Sequence, residues 1–380
     1  MSIIDYSRLP VAAGILEQRV MALESAGPPG IPDAPRNGAL HGRRIDEWLR
    51  IPTPTPMSGR DWMETMLPVT SGSSNAMSLA YGNGLFVVSL NGLTDDVKIM
   101  TSTDGITWTN QSTPGDSLNW QSITYGNGLF VATSGSGGNN QFGSIMFSSD
   151  GIDWTMASGQ FLGYTPTVRY LDDSYVITSR NVSGSTTSTI FTSSLDGNEW
   201  AQQSTLGNWI GRGMTFGQGK YVYPVTRSTN NVSDNSSVFT SPDLITWTQT
   251  SFLGARRSIW SDVIFAQDCF IAVATVNPTD AGPYEIVISS LDGENWDVLM
   301  TTNNPPGSIS ISNIIYANGV FLAPRNGTGT IFRSLDGVTW DEIPSGIDDL
   351  SSINALVYGD SLFAYITSQG PRGISVMTSG

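Results

Sequence analysis

The sequence predicts an all-β protein, a seven-bladed β-propeller carried on a short N-terminal stem, and three observations lead to this prediction. A heptapeptide that ends in tryptophan recurs at intervals of 44–49 residues. A second motif, built around a central turn, recurs in phase with the first. Short apolar runs separated by glycine and asparagine turns are typical of an all-β core. A repeat of about 45 residues that holds four short strands matches one propeller blade.

The heptapeptide has the pattern Ser-x-Asp-Gly-x-x-Trp and first occurs as Ser102–Trp108. Only the fourth copy departs from it, with Leu244 in place of glycine. We expect each aspartate to bind backbone N–H groups of its own turn, and each tryptophan to pack between neighbouring sheets. The residues concerned are Asp104, Trp108, Asp150, Trp154, Asp196, Trp200, Trp247, Asp292, Trp296, Asp336 and Trp340. Trp62 stands 46 residues before Trp108 and supplies a seventh tryptophan.

The second motif first occurs as Tyr81–Val87, with the sequence Tyr-Gly-Asn-Gly-Leu-Phe-Val. An Asn–Gly pair between two apolar runs is a strong β-hairpin signal. In the first repeat we therefore predict strands near residues 77–81, 85–90, 97–102 and 107–111. Seven copies begin at Tyr81, Tyr125, Tyr170, Phe216, Phe265, Tyr316 and Tyr358.

The two ends of the repeat region predict how the ring closes. The last repeat reaches only its third strand, near Ile374–Ser379. A segment with the pattern of a fourth strand lies instead at residues 60–67, directly around Trp62. A ring closed by strands from both ends leaves no sheet edge open. We therefore assign residues 58–380 to a propeller closed by the N-terminal strand 60–67.

The heptapeptide resembles the Asp-box repeat of sialidase-like propellers, whose pattern is Ser-x-Asp-x-Gly-x-Thr-Trp. This chain lacks one residue between the aspartate and the glycine. The resemblance covers residues 58–380 and implies the fold. Because the Asp box is a structural turn in that family, the resemblance implies no chemistry.

The N-terminal residues 1–30 predict a helical stem for attachment. Over residues 6–25, apolar side chains follow a heptad seam formed by Leu9, Ala13, Leu16, Val20 and Leu23. Gly27–Gly30, with two prolines inside it, ends the helix. A lone helix this short is marginal, so it needs partners. These are copies of itself, most simply in a homotrimer, or a groove on a larger assembly; packing on its own propeller is the alternative.

Residues 31–57 predict a small β connector followed by a proline-rich linker, Ile51–Pro56. Asp33–Trp48 resembles a segment common in fibre and tail proteins of tailed bacteriophages, although His41 stands in an aromatic position and Asp46–Glu47 replaces a glycine. This resemblance implies a virion structural protein, a tail or head fibre, made in the host cytoplasm. Its N-terminus would bind other virion proteins, and its propeller would face outward for host attachment.

Composition excludes several other classes of function. The net charge is −15, and the basic residues form no cluster beyond pairs such as Arg43–Arg44, so we expect no nucleic-acid partner. No apolar run approaches a membrane span, and the first ten residues lack a secretory signal. Cys269 is the single cysteine, which excludes an internal disulfide, and His41 is the single histidine. Ser–His or Cys–His catalysis and a histidine-rich zinc site are therefore excluded, and we expect no metal or cofactor.

The loops that vary between repeats all fall on one face of a propeller, where recognition usually takes place. Trp120, Trp209 and Trp260 lie outside the heptapeptides, just before a first strand, and their rings are suited to stacking on sugars. Arg212, Arg256 and Arg257 are suited to binding acidic sugar groups. These six residues predict a receptor-binding site for a host-surface glycan. Packing between blades is the alternative for each tryptophan.

Two other functions stay open. A sialidase-like glycosidase needs an arginine cluster, for which Arg212, Arg256, Arg325 and Arg372 are available, together with a nucleophile, for which Tyr284–Glu285 is the candidate. Because no arginine occupies a recognisable family position near the first blade, we do not expect an enzyme. A purely architectural decoration protein without a ligand is the third hypothesis.

Overall fold

The computed structural model describes residues 62–68, 75–91, 97–115, 118–135, 141–183, 186–227, 236–250, 258–276, 284–302, 310–346, 353–367 and 375–379. All of them belong to one compact unit, Met57–Gly380. The described residues form strands, turns and loops, with no helix among them. The predicted helical stem and connector lie outside the described residues and stay predictions.

The described strands form seven antiparallel sheets, which confirms the predicted seven-bladed β-propeller. The first strand, β1, spans Met63–Met66. Blades 1 to 3 follow in chain order: β2 (Asn75–Gly82), β3 (Leu85–Asn91), β4 (Ile99–Ser102) and β5 (Thr109–Gln111); β6 (Trp120–Gly126), β7 (Leu129–Ser134), β8 (Phe142–Ser148), β9 (Thr155–Met156) and β10 (Phe161–Leu162); β11 (Tyr164–Leu171), β12 (Ser174–Ser183), β13 (Thr186–Ser194) and β14 (Ala201–Leu206).

Blades 4 to 7 repeat this arrangement, with the strand next to the central channel first in each. Their strands are β15 (Trp209–Ile210), β16 (Thr215–Gly217), β17 (Lys220–Arg227), β18 (Ser236–Ser241) and β19 (Thr248–Thr250); β20 (Ser258–Ala266), β21 (Cys269–Val276), β22 (Tyr284–Ser290) and β23 (Asp297–Thr301); β24 (Ser310–Ile311), β25 (Ile315–Ala317), β26 (Val320–Asn326), β27 (Thr330–Ser334) and β28 (Asp341–Pro344); β29 (Ile353–Gly359), β30 (Leu362–Thr367) and β31 (Ser375–Ser379).

Blade 7 joins the two ends of the repeat region. Strand β1 pairs with β31 in antiparallel register, with Met63 opposite Thr378 and Met66 opposite Ser375. The outermost strand of the last blade therefore comes from the N-terminal side. This pairing gives the closing blade a fourth strand and leaves β31 with a partner on each side.

The hydrophobic core lies between blades, because each blade packs its faces on its two neighbours. One cluster joins Val87 and Ile99 of blade 1 to Trp120, Phe130 and Met146 of blade 2. Second strands carry most of this burial, and every residue of β21 is buried, including Cys269. Blades are thus held together by sheet-on-sheet packing of apolar side chains.

The turns explain why the two sequence motifs recur. In all seven turns between first and second strands, both central residues have positive φ, which is the type I′ geometry that suits a two-residue hairpin. Asn83 and Gly84 have φ of 49° and 76°, whereas blade 3 uses Asp172 and Asp173, with φ of 48° and 54°. Aspartate tolerates this region far better than most residues do. The turn therefore survives where the Asn–Gly pair is lost.

Each heptapeptide forms the turn between third and fourth strands. In blade 1, Asp104 Oδ1 accepts the backbone N–H groups of Ile106 and Thr107 at 2.8 and 2.7 Å. The indole of Trp108 donates to the carbonyl of Gly105 at 3.1 Å. The backbone N–H groups of Thr107 and Ile106, together with the hydroxyl of Ser102, hold the pKa of Asp104 down at about 2. Leu244, with φ of 63°, fills the glycine position of the fourth copy.

Candidate functional site

The innermost strands of all seven blades surround a central channel with a volume of about 660 Å³. Each of these strands is irregular at the same level. In blade 1 a β-bulge lies between Ala76 and Ser78, and blades 2, 3, 5 and 7 have a bulge at the matching place. In blades 4 and 6 the strand is interrupted there instead. Bulges redirect side chains, and here they bring polar side chains to the channel wall.

Polar contacts link neighbouring blades around the channel. Ser78 Oγ accepts from Ile123 N–H at 3.2 Å, and Asn354 Nδ2 donates to Ala76 O at 2.6 Å. Equivalent contacts that join other neighbouring blades are Ser122 with Val168, Arg169 with Met214, Asp262 with Ile314, and Asn313 with Leu356. Blades 4 and 5 meet differently, since a Cβ on Gly213 would lie 2.1 Å from Asp262 Oδ1. Only glycine allows this approach.

One ion pair spans three blades. The Arg169 side chain of blade 3 extends across blade 4, so that its Nη2 lies 2.5 Å from Asp262 Oδ1 of blade 5. Arg169 Nη1 also donates to the carbonyl of Met214 at 3.0 Å. Asp262, which is 4% exposed, accepts from the backbone N–H groups of Val263 and Ile314 as well. Every oxygen of this carboxylate is therefore engaged in holding the channel wall.

The arginines divide into two groups. Of the six that the structure describes, Arg169, Arg325 and Arg333 form ion pairs. The other three, Arg180, Arg212 and Arg227, form no ion pair with a described residue. All three lie where blades 3 and 4 meet the face that carries the longer connections between strands, which we call the loop face. We refer to Arg180, Arg212, Arg227 and Trp209 together as the basic mouth.

The sequence positions the basic mouth through strand pairing. Arg227 ends β17 directly opposite Trp209, and its guanidinium carbon lies 5.5 Å from the centre of the indole ring. The half-buried indole also packs edge-on against Phe239 at 5.5 Å, and the backbone carbonyl of Trp209 accepts a hydrogen bond from Thr189 Oγ1 at 2.9 Å. A rigid aromatic surface beside a cation is thus fixed at the channel rim.

Arg212 occupies the interruption between β15 and β16, where it lines the channel. Desolvation lowers the pKa of Arg212, although part of the residue stays exposed, and the positive charge of Arg180 lowers it further. The two positive charges therefore repel each other, and neither arginine forms an ion pair with a described residue. A bound anion would relieve this repulsion and gain bidentate hydrogen bonds from each arginine.

The structure separates the predicted glycan residues. Trp209 and Arg212 lie together in the basic mouth, while Arg256 and Arg257 lie outside the described residues. Trp120 and Trp260 are 0% and 2% exposed, so the expectation that their rings stack on a ligand is wrong for this structure. Both occupy the position just before a bulge, where Ala76 and Ile353 of other blades are also buried. They pack between blades, which was the alternative.

Four residues of the channel and mouth escaped the sequence analysis. Arg227 ends β17, and Arg180 lies three residues before the end of β12; both reach the site only through pairing with first strands. Arg169 and Asp262 lie 93 residues apart, and no local pattern connects them. Arg169 and Asp262 are charged, whereas the residues at the same repeat positions in the other blades are uncharged, and that departure from the repeat was the available signal.

Of the glycosidase candidates that the structure describes, Arg212 lines the channel, whereas Arg325 and Glu285 lie away from it. Among the described residues that line it, Asp262 is the only carboxylate, and glycoside hydrolysis ordinarily needs two. Glu285 is fully buried, and its Oε2 lies 2.8 Å from Nη2 of Arg325, a residue of the neighbouring blade. Arg325 also binds Glu342. The three residues form a charge cluster between blades 5 and 6, and Arg372 lies outside the described residues.

Among the described residues, no group of three or more histidine, cysteine, aspartate or glutamate side chains has a metal-binding arrangement. The described residues also contain no helix with the length and apolar character of a membrane span.

Comparison with known proteins supports the fold alone. No protein-family model matches the chain, and no curated protein matches it. Among solved structures, a streptogramin B lyase is similar with a TM-score of 0.58 at 9% identity, over 84% of this chain and 98% of that one. A catalytically inactive variant of virginiamycin B lyase from Staphylococcus aureus with quinupristin gives 0.57 at 10% identity, over 84% and 100%. The α-L-arabinanase of Penicillium chrysogenum complexed with arabinobiose gives 0.50 at 15% identity, over 68% and 91%.

Proposed function

We propose that this propeller is a binding module that recognises an anionic surface glycan at the basic mouth. One observation carries the proposal: blades 3 and 4 hold the three described arginines without an ion pair to a described residue, of which Arg227 lies over the half-buried Trp209 and Arg180 is close enough to lower the pKa of Arg212. In a chain of net charge −15, such a local excess of positive charge has a specific use.

The chemistry of the mouth matches an acidic sugar on two counts. Guanidinium groups bind carboxylate, sulfate or phosphate through paired hydrogen bonds. An indole fixed at the rim packs against the apolar face of a sugar ring while its neighbouring cations hold the charged substituent. The channel behind the mouth, at about 660 Å³, has room for more than one sugar unit.

We further propose that the N-terminal segment anchors the protein in a bacteriophage virion, as a tail or head fibre that carries the propeller outward. The support is the resemblance of Asp33–Trp48 to phage fibre segments and the heptad seam before it. On this proposal the partners are other virion proteins, the stem forms a homotrimer, and the protein is located in the virion. Deleting residues 1–50 should then leave a folded, monomeric propeller, and a truncated protein that stays oligomeric would contradict the stem.

Binding to intact candidate host cells tests the recognition function. We expect binding that disappears when the surface polysaccharide is stripped, and that an acidic polysaccharide inhibits but a neutral one does not. Arg212→Met and Trp209→Leu should each weaken binding at least about tenfold, since each removes a charged or stacked contact. Arg333→Met is the matched control, because Arg333 pairs with Asp341 on an outer strand. Equal binding by Arg212→Met and wild type would reject the mouth as the site.

A glycosidase is the second candidate, because the propeller fold also occurs in an α-L-arabinanase and the same mouth would hold a sugar substrate. Release of reducing sugar from an acidic polysaccharide would support it. Asp262→Asn should then abolish release in protein that circular dichroism shows to be folded, because Asp262 is the carboxylate of the described channel wall. Sugar binding without release, at protein concentrations that saturate binding, favours the binding module.

A further inference from the structure

Strand β12 of blade 3 directs Arg180 toward blade 4. Side chains alternate between the two faces of a strand, and Val176, four residues before Arg180, packs in the core between blades 3 and 4. The pairing of β12 with β13 runs without a register shift from Tyr175 to Ser183, so Arg180 leaves the sheet on the same face as Val176. Tyr164 of β11 lies directly opposite Arg180 and shares that face. Blade 3 thus places an aromatic residue and a cation side by side.

Strand β17 of blade 4 directs Arg227 toward blade 3 in the same way. Tyr223 and Val225 pack in the core between the two blades, and Arg227 takes the next position on that face. Trp209, which lies opposite Arg227, packs against the same core. Each blade therefore presents one aromatic residue and one arginine to the other at the loop face. We call the space between these four side chains the blade 3–4 gap; they are Tyr164, Arg180, Trp209 and Arg227.

Hydrogen bonds between the two blades fix the floor of the gap. Thr189 lies opposite Arg180 on β13, and its Oγ1 donates to the backbone carbonyl of Trp209 at 2.9 Å. The same hydroxyl lies 3.4 Å from the buried Tyr223 hydroxyl, which accepts from the Gly211 N–H at 3.0 Å. Burial raises the pKa of Tyr223, whereas Thr189 and the positive charge of Arg180 lower it, so Arg180 is close to this floor. Because the floor groups bond to one another, a ligand is left to contact the side chains above them.

The positive charge around the gap is divided between two places. Desolvation lowers the pKa of Arg212 and the positive charge of Arg180 lowers it further, so these two arginines form one cationic centre at the channel rim. Arg227 forms the other centre on the blade 4 side, with its guanidinium carbon 5.5 Å from the centre of the Trp209 ring. The backbones of packed sheets lie about 10 Å apart. An anionic group held between Arg180 and Arg212 therefore leaves Arg227 available for a second one.

From these two cationic centres we infer that the blade 3–4 gap binds a doubly anionic stretch of glycan, with its two negative groups on one sugar or on neighbouring sugars. One group lies at Arg180 and Arg212, and the other lies at Arg227. Tyr164 and Trp209 pack on the apolar faces of the sugar between them, so Tyr164 is a second aromatic contact. The inference rests on the proposed function, because it names the class of ligand that the basic mouth takes. A singly charged glycan would leave one centre unpaired.

Calorimetric titration of the full-length protein with three fragments of equal length and one sugar backbone tests the inference. Chondroitin sulfate carries a carboxylate and a sulfate in each disaccharide, unsulfated chondroitin carries the carboxylate alone, and carboxyl-reduced chondroitin is neutral. We expect the doubly charged fragment to bind roughly three- to tenfold more tightly than the singly charged one, and the neutral fragment to bind least. Equal binding of the two charged fragments would overturn the inference and leave the proposed function standing. Saturable binding of neither would overturn both.

Charge variants assign the second negative group to its arginine. Arg227→Met should weaken binding of the sulfated fragment more than that of the unsulfated one, so that the difference between the two fragments largely disappears. Arg333→Met removes the same charge from an outer strand of blade 6 and should keep the difference. If Arg333→Met also removed the difference, the net charge of the protein and not the gap would distinguish the fragments, and the inference would be wrong.

Aromatic variants test the contact with Tyr164. Tyr164→Leu should weaken both charged fragments roughly threefold and leave their ratio unchanged, because it removes a ring and no charge, whereas Tyr164→Phe keeps the ring and should bind more tightly than Tyr164→Leu. Phe142→Leu is the matched control, because Phe142 is 63% exposed at the start of β8 but belongs to blade 2 and lies outside the gap. Circular dichroism checks that each variant is folded. An equal loss in Phe142→Leu and Tyr164→Leu would overturn the role of Tyr164.

Discussion

Replacing Arg169 by methionine should destabilise the propeller through the aspartate that it leaves behind. Asp262 is 4% exposed and would stay buried without its counter-charge. Breaking a buried pair by removing one partner costs about 3–5 kcal/mol. Asp262 keeps two backbone donors, at 2.8 and 3.3 Å, so we expect the lower end, about 3 kcal/mol. At about 2 °C per kcal/mol for a domain of this size, the midpoint of thermal unfolding should fall by about 6 °C.

Urea unfolding followed by tryptophan fluorescence measures this cost, and a double-mutant cycle identifies its source. Asp262→Asn alone should destabilise, because it weakens the pair. Added to Arg169→Met, the same change should instead restore about 1–2 kcal/mol, because it removes the buried charge. A loss below 1 kcal/mol in Arg169→Met, or an Asp262→Asn change that lowers stability in both backgrounds, would show that the ion pair does not hold blades 3 and 5.

Three further predictions address the repeat. Gly126→Ala places a Cβ 2.0 Å from the Tyr170 ring and should cost about 1–3 kcal/mol in urea unfolding, whereas Gly207→Ala, with open space around the new Cβ, should cost less than about 1 kcal/mol. The Asp104→Asn variant should unfold differently in acid. The pKa of Asp104 is lowered from 3.8 to about 2, so its carboxylate adds stability above pH 4 that is lost as the pH falls through 2. The free energies of unfolding of wild type and variant should therefore converge near pH 2. Trp120→Ala should cost about 3–5 kcal/mol by thermal unfolding, yet the folded variant should retain glycan binding, because the indole is buried.

The fold could be predicted because its determinants are local and repeated. The Asn83–Gly84 pair encodes its own positive φ values, and Asp104 is held by atoms of its own turn. Each such unit therefore needs no distant partner to be recognised. The in-phase repetition of both motifs supplied the number of blades, and Trp62 supplied the closing strand.

The site could be predicted only in part, because it consists of departures from the repeat. Trp209 and Arg212 stood out by residue type and do lie in the mouth. Arg180 and Arg227 contribute through cross-strand pairing, which depends on register and not on sequence distance. Trp120 was misassigned because a bulge decides which way its side chain points. Aligning it with the apolar Ala76 of blade 1 would have indicated burial.

Strand β1 cannot pair with β31 until the ribosome has made almost the whole chain. Met63 meets Thr378 across 315 intervening peptide bonds. At roughly 5–20 residues per second, a ribosome needs about 15–60 s to produce the partner strand after making β1. During that interval β1 exposes unpaired backbone together with Met63 and Met66, which stay 52% and 43% exposed even in the finished ring. Nascent chains made at high concentration are then vulnerable to pairing with one another, and we expect the yield of native protein to depend on temperature and chaperone supply during expression.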